Sequence, residues 1–346
     1  MGRLPTRQLP RLGCAVSEIG HGTASVGNLY KPVSDAEARA ALDAALDGGI
    51  RYFDTAPHYG HGLSERRVGD ALRGRSDVVL STKVGRLLKP VPAFSGSDAA
   101  RHDFRSPLPF DRVFDYTREG ILRSWEDSLQ RLGLAQVDLL FVHDIGRFTH
   151  GPDHERRLAQ LLEGGGLDAL VELRRAGAIA GFGLGVNEWE ICLELMDRAD
   201  LDVILLAGRY TLLEQTALDA FLPRCRERGT AVVIGGAYNS GILATGTRSS
   251  GPLLYDYGKA PPALVARVQA IEAVCDQFDV PLAAAALQFP LAHPAVASVI
   301  PGMASASRVA QTLALHARHI PGAFWRTLQD KGLLRPDAPV PPGRDP

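Results

Sequence analysis

Four polar residues stand at or just beyond the ends of short apolar runs, and they define the chemistry open to this chain. Asp54 closes the run 50–53, and Tyr59 follows it by five residues in a Pro/Gly/His loop. Lys83 closes the run beginning at Val78, and His143 closes the run 137–142. A free phenol has a pKa of about 10, too high for an effective base at neutral pH. A lysine cation beside it stabilises the phenolate and is expected to lower that value. A carboxylate paired with the lysine holds it and balances its charge in a dry site. A histidine across the pocket can hydrogen-bond a substrate oxygen. The four together predict proton exchange with an alcohol or carbonyl beside a hydride carrier.

Such residues need a scaffold that brings successive strand ends to one mouth. The chain alternates short apolar runs with helical patterns. Strands are predicted at 18–22, 50–54, 78–83, 137–142, 180–186, 203–207, 231–235 and 296–300. Helices are predicted at 63–72, 116–132, 167–176, 188–198, 214–228, 262–278 and 305–317, with another that Ser34 caps and Gly48 and Gly49 stop. Eight strand-helix units in series imply a parallel sheet covered by helices, hence a single-domain (β/α)₈ TIM barrel over residues 1–334. An open doubly wound sheet is the competing architecture. Against it, no G-x-G-x-x-G fingerprint opens a helix; the nearest approach, at Gly181, Gly183 and Gly185, lies within a strand.

Two long connections, 85–115 and 237–260, follow strands and are expected to lie over the mouth as lids or binding loops. The first carries Arg86, Lys89, Arg101 and Arg105, which can serve an anionic substrate. The tail 335–346 is rich in proline and is expected to be disordered.

Composition narrows the function further. The 346 residues carry a net charge of −1, which argues against nucleic acid binding. No apolar run approaches the roughly 18 residues of a membrane span. The first ten residues lack the apolar core of a signal peptide. The four cysteines are far apart and form no metal or disulfide pattern, which suits a cytoplasmic protein. His58 and His61 flank Tyr59 and Gly60, but without a third nearby ligand they predict no metal site. His58, Asp144 and Trp189 are expected to line the substrate pocket.

Residues 49–56 with Tyr59, then Ser81-Thr82-Lys83, then Asp138 to His143, resemble the aldo-keto reductase family. The resemblance runs from about residue 12 to residue 317. It implies a barrel that binds NAD or NADP without a Rossmann fold. It casts Tyr59 as proton donor or acceptor, Lys83 and Asp54 as its tuning pair, and His143 as substrate orienter. It also implies cofactor contacts at Gly22, Thr23, Asn187, Gly235, Ser240, Gly241, Ile300, Gly302, Met303, Arg308, Gln311 and Thr312. Many members read G-V-S-N after the fifth strand; here Asn187 and Glu188 follow Gly185-Val186. The seventh-strand tyrosine that often stacks on nicotinamide is replaced by Gly235. NADPH-preferring members read I-P-K-S after the eighth strand. This chain reads Ile300-Pro301-Gly302-Met303, without the cation for a 2′-phosphate, so NAD is the expected cofactor and NADP the lesser alternative.

Residues 114–134, 142–146, 183–190 and 235–243 resemble the bacterial branch that includes D-threo-aldose (L-fucose) 1-dehydrogenases and pyridoxal 4-dehydrogenases. The reaction expected first is NAD-dependent oxidation of an aldose at C1 to its lactone. The alternative is oxidation of pyridoxal to 4-pyridoxolactone. A remoter one is a non-catalytic, cofactor-sensing subunit such as those of potassium channels, which resemble the same family. An oligomer is compatible with any of these.

Overall fold

The structure, a computed structural model, describes residues 4–92 and 102–342. Eight parallel strands form its centre: β1 (His21–Gly22), β2 (Tyr52–Asp54), β3 (Val79–Val84), β4 (Leu139–His143), β5 (Gly181–Val186), β6 (Val203–Ala207), β7 (Ala231–Gly235) and β8 (Val296–Val299). They neighbour one another in sequence order. The sheet closes where Ile19 bridges Val299 and Gly22 bridges Gly302, both parallel. The expected (β/α)₈ barrel is therefore present.

The barrel buries two apolar layers. Tyr52, Leu139, Phe141, Val203, Leu205 and Val233 fill its interior. The opposite faces of the strands pack against the helices in one large core. An antiparallel hairpin, Thr6–Leu9 with Cys14–Ser17, seals the N-terminal mouth. Its Leu9 and Val16 join the interior layer, and Arg7 Nη1 donates to the Val296 carbonyl at 2.9 Å. The stoppered end leaves only the C-terminal mouth for chemistry.

Local signals set many boundaries. Ser34 forms a capping box with Glu37 and starts helix Asp35–Asp47. Gly133, at φ 63°, ends helix Arg118–Leu132. The helix expected at 214–228 begins only at Phe221, which puts Pro223 in its first turn, where proline is tolerated. Five helices among the described residues were not anticipated: Arg147–His150, His154–Leu162, Ile242–Thr245, Leu282–Gln288 and Gly322–Asp330. They are short or preceded by proline, and the last buries Phe324, Trp325 and Leu328.

The two long connections carry hairpins. Strand Arg86–Pro90 pairs antiparallel with Phe110–Phe114; Arg101 lies outside the described residues. Leu254–Tyr255 pairs with Gly258–Lys259 around a turn at Asp256 and Tyr257. The tail also differs from expectation as far as residue 342. The Arg335 backbone N–H donates to Gln215 Oε1 at 2.8 Å, and Ala338 is buried.

Candidate active site

The ends of β2, β3 and β4 bring the predicted four residues together. In register, Asp54 faces Ser81 across β2 and β3, and Lys83 faces Phe141 across β3 and β4. Lys83 Nζ donates to Asp54 Oδ2 at 2.6 Å and to the Thr55 carbonyl at 2.9 Å. Ser81 Oγ donates to Asp54 Oδ1 at 2.7 Å, so both carboxylate oxygens are held. Ser81 escaped the sequence reading, although the two-residue strand period puts it on the face of Lys83.

The lysine stem needs room inside the barrel, and Gly185 on β5 provides it. A Cβ there would stand 3.3 Å from Lys83 Cε and 3.2 Å from Phe141 Cβ. Tyr59 is positioned by a tight loop whose Gly60 has φ 63°. A Cβ on Gly60 would meet the Gly27 carbonyl at 2.4 Å, so a larger residue would push the loop away. Lys83 Nζ lies 4.6 Å from the centroid of the Tyr59 ring. The His143 ring stands edge-on to Tyr59 with centroids 6.1 Å apart. Tyr116 supports it from below, donating to the His143 carbonyl at 2.7 Å.

Electrostatics correct one expectation. Burial raises the Tyr59 pKa, and the opposing pull of Lys83 does not cancel it, so the net direction is upward. The lysine acts as foreseen, but drying the phenol costs its anion more. Burial alone would lower the Lys83 pKa; Asp54 and Tyr59 outweigh it, and the ammonium is retained. Burial also raises Asp54, while Lys83 and Ser81 pull it back. His143 is driven well below the usual histidine range by burial and then by Arg86 and Lys83, so its ring is neutral. A neutral ring can donate one N–H to a substrate oxygen and carries no charge to be dried.

An aromatic wall stands beside these four. His58 meets Phe104 edge-on with centroids 5.2 Å apart, and Phe104 lies 6.1 Å from the Tyr59 ring. His61 stacks on His102 at 5.6 Å. His58 thus lies beside Tyr59 and His143. Asp144 does too, but its carboxylate is engaged by Arg86 and by Asn187 Nδ2, the latter at 3.0 Å. The Trp189 indole N–H donates to Thr216 Oγ1 at 3.4 Å.

Three comparisons extend this geometry. The aldo/keto reductase family model matches residues 18–332. The chain belongs to the aldo/keto reductase family. It is 48% identical to a pyridoxal 4-dehydrogenase of Microbacterium luteolum, covering 95% of this chain and 97% of that one. It is 41% identical to a D-threo-aldose 1-dehydrogenase of a Pseudomonas species, covering 93% and 96%. Its fold is similar to the holo form of an aldo-keto reductase from Bacillus halodurans, with TM-score 0.72, 27% identity and coverage of 98% and 99%. The protein is therefore an oxidoreductase of the aldo/keto reductase type, a class that uses a nicotinamide cofactor.

The reductase's residues fit such a group at the rim of β1, β7 and β8. Gly22 and Gly302 face each other there; a Cβ on Gly22 would meet the Ile300 carbonyl at 2.6 Å. The Ser25 hydroxyl is buried without a partner among the described residues, and it lies 3.4 Å from where a Cβ on Gly302 would stand. The backbone of Gly241 borders open space. Gly235 lies at the end of β7, opposite Ala207. Ser240 Oγ accepts the Tyr257 backbone N–H at 2.9 Å, and Tyr257 OH donates to Asn187 Oδ1 at 3.2 Å. Exposed Arg308 donates to Gln311 Oε1 at 2.7 Å.

Other expected cofactor side chains point elsewhere. Thr23 is buried, and its hydroxyl donates to the Asp54 carbonyl at 2.7 Å. The Ile300 side chain belongs to the barrel interior. Met303 is buried in the core and offers its carbonyl to His21 Nε2 at 2.9 Å. Thr312 is buried on the inner face of its helix. Glu188 accepts the Phe148 backbone N–H at 2.7 Å, which removes it from the carboxamide position.

Proposed function

We propose that this reductase oxidises the cyclic hemiacetal of a small polar aldehyde to its lactone, with pyridoxal as substrate and NAD as cofactor. The aromatic wall of His58 and Phe104 beside Tyr59 carries the reading. With Phe104 buried behind the partly exposed His58 and Tyr59 rings, a flat pyridine ring gains stacking and edge-to-face contact beyond what the C–H groups of a sugar ring supply. The 48% identity to a pyridoxal 4-dehydrogenase supports the same choice.

In the oxidation, the hemiacetal carbon loses a hydride and its hydroxyl loses a proton. The carbonyl of the lactone forms in their place. Tyr59 takes the proton, His143 steadies the oxygen, and Lys83 stabilises the phenolate that receives it. Asp54 and Ser81 hold Lys83 in reach. When bound, the nicotinamide ring supplies the hydride acceptor.

A second substrate class, an aldose of the L-fucose type, has its own support in the 41% identity to a D-threo-aldose 1-dehydrogenase. The chemistry at the reacting carbon is the same, since an aldose pyranose is also a hemiacetal. NAD is favoured because no lysine follows Pro301 and the Met303 side chain is buried. The test is NAD reduction followed with pyridoxal, L-fucose, D-arabinose and L-galactose side by side. Pyridoxal should give the highest kcat/KM. Turnover of the sugars alone would transfer the assignment to the aldose.

A further inference from the structure

The hairpin Arg86–Pro90 with Phe110–Phe114 brings two arginines to the wall of the site. Arg86 pairs in register with Phe114 and Leu88 with Arg112, so Arg86, Phe114 and Arg112 share one face. Both guanidinium groups lie against the Phe114 ring, at 5.2 Å and 5.5 Å from its centroid. Their charges are balanced differently. Arg86 is buried in an ion pair with Asp144. Half-buried Arg112 has no carboxylate within ion-pair distance among the described residues. Asp111, its neighbour, accepts the Arg112 backbone N–H and meets His102 instead.

The side-chain partner of Arg112 is His58. Arg112 Nη1 donates to His58 Nε2 at 3.1 Å. A guanidinium can only donate, so His58 Nε2 must be the acceptor and its proton must reside on Nδ1. That Nδ1 is buried and has no hydrogen-bond partner among the described residues. The Arg112 cation is thus tied to a ring whose centroid lies 6.1 Å from that of His143. The site holds Lys83 with Asp54 and Arg86 with Asp144, which leaves Arg112 as its surplus positive charge.

We infer that Arg112, oriented by His58 Nε2, binds an ionised oxygen on an aromatic substrate ring and thereby selects a phenolate-bearing substrate over a neutral sugar. Arg112 is a specificity residue: it reads a part of the substrate remote from the reacting carbon. The choice of pyridoxal as probe rests on the function proposed above; the binding of an aromatic anion does not.

Two measurements separate the claims. The first compares kcat/KM for pyridoxal with that for its analogue lacking the ring 3-hydroxyl, in the full-length protein and in R112K and R112Q. The ratio should fall roughly ten- to hundredfold in R112Q, the scale of a charge-assisted hydrogen bond, and recover in part in R112K. A ratio unchanged in R112Q overturns the inference while leaving pyridoxal oxidation standing. The second is calorimetric binding of salicylate, an aromatic anion, and it decides the matter if pyridoxal is not turned over. Binding by the unmodified protein and R112K, weakened at least tenfold in R112Q, upholds Arg112 as the anion reader. Absent or equal binding overturns it. Thermal melts of both variants confirm that they are folded.

Discussion

Ser81 and Asp54 stand opposite each other on adjacent parallel strands, and the serine hydroxyl donates to the carboxylate at 2.7 Å. The same carboxylate holds the Lys83 ammonium through its other oxygen at 2.6 Å. Asp54 is thus gripped through both carboxylate oxygens by two residues on one face of β3 before any substrate arrives. Asp54→Asn would leave a buried lysine cation without its anion, a loss of about 3–5 kcal/mol in other buried pairs. Ser81→Ala removes one hydrogen bond and should cost about 1 kcal/mol. Urea denaturation of both variants should give that order, with the asparagine variant the less stable.

Tyr59 should titrate high. With burial raising its pKa above the ordinary phenol value of about 10, the fraction of phenolate keeps growing across the neutral and mildly alkaline range. The kcat/KM for oxidation should therefore rise with pH and show no plateau below about pH 10. A plateau near pH 7 would mean that Lys83 outweighs burial after all.

Acid should weaken the fold before it protonates many carboxylates. His21 is fully buried, and its pKa is lowered to about 4; His150 and His293 are also lowered to about 4. Burial is the leading cause in each. A histidine depressed in the folded state contributes its stability above the unfolded value of about 6.5, and the contribution is lost as pH falls toward 4. For His21 alone the shift corresponds to about 3 kcal/mol. Thermal melts from pH 7.5 down to 4.5 should show a falling Tm that begins near pH 6.5. His21→Asn should flatten that fall.

Cofactor choice should respond to one position. Gly302 is exposed, and a Cβ there would come no closer than 3.4 Å to Ser25 Oγ. Gly302→Lys should fit and supply a cation for a 2′-phosphate. The expected result is a KM for NADP at least tenfold lower, with the KM for NAD little changed. Steady-state kinetics with each cofactor decides it.

The sequence disclosed the tetrad because polar residues that end apolar β-branched runs are visible without knowing what packs on them. The eight strand-helix units were visible for the same reason: their periods are local. Arg112 was not, because its place depends on which residue of Arg86–Pro90 it pairs with across a 19-residue connection, 91–109, that includes undescribed residues. Thr312 and Met303 were assigned to the cofactor by position, yet both are buried. Which face of helix Ala306–Ala317 turns inward depends on its docking against helix Asp35–Asp47, a long-range contact. The tail after Leu334 looked unable to make a core, but it needs only to lean on one, and Ala338 does so.

The central claim is that Tyr59 moves the proton of a substrate hydroxyl while hydride leaves for nicotinamide. It is tested most directly by NAD reduction with pyridoxal, comparing the unmodified protein with Tyr59→Phe. The ring and its packing survive that change; only the phenolic oxygen is lost. The account predicts a fall in kcat of at least a thousandfold, with NAD binding by fluorescence titration unaltered. Turnover retained within tenfold would contradict it, and proton transfer would have to be assigned to another group.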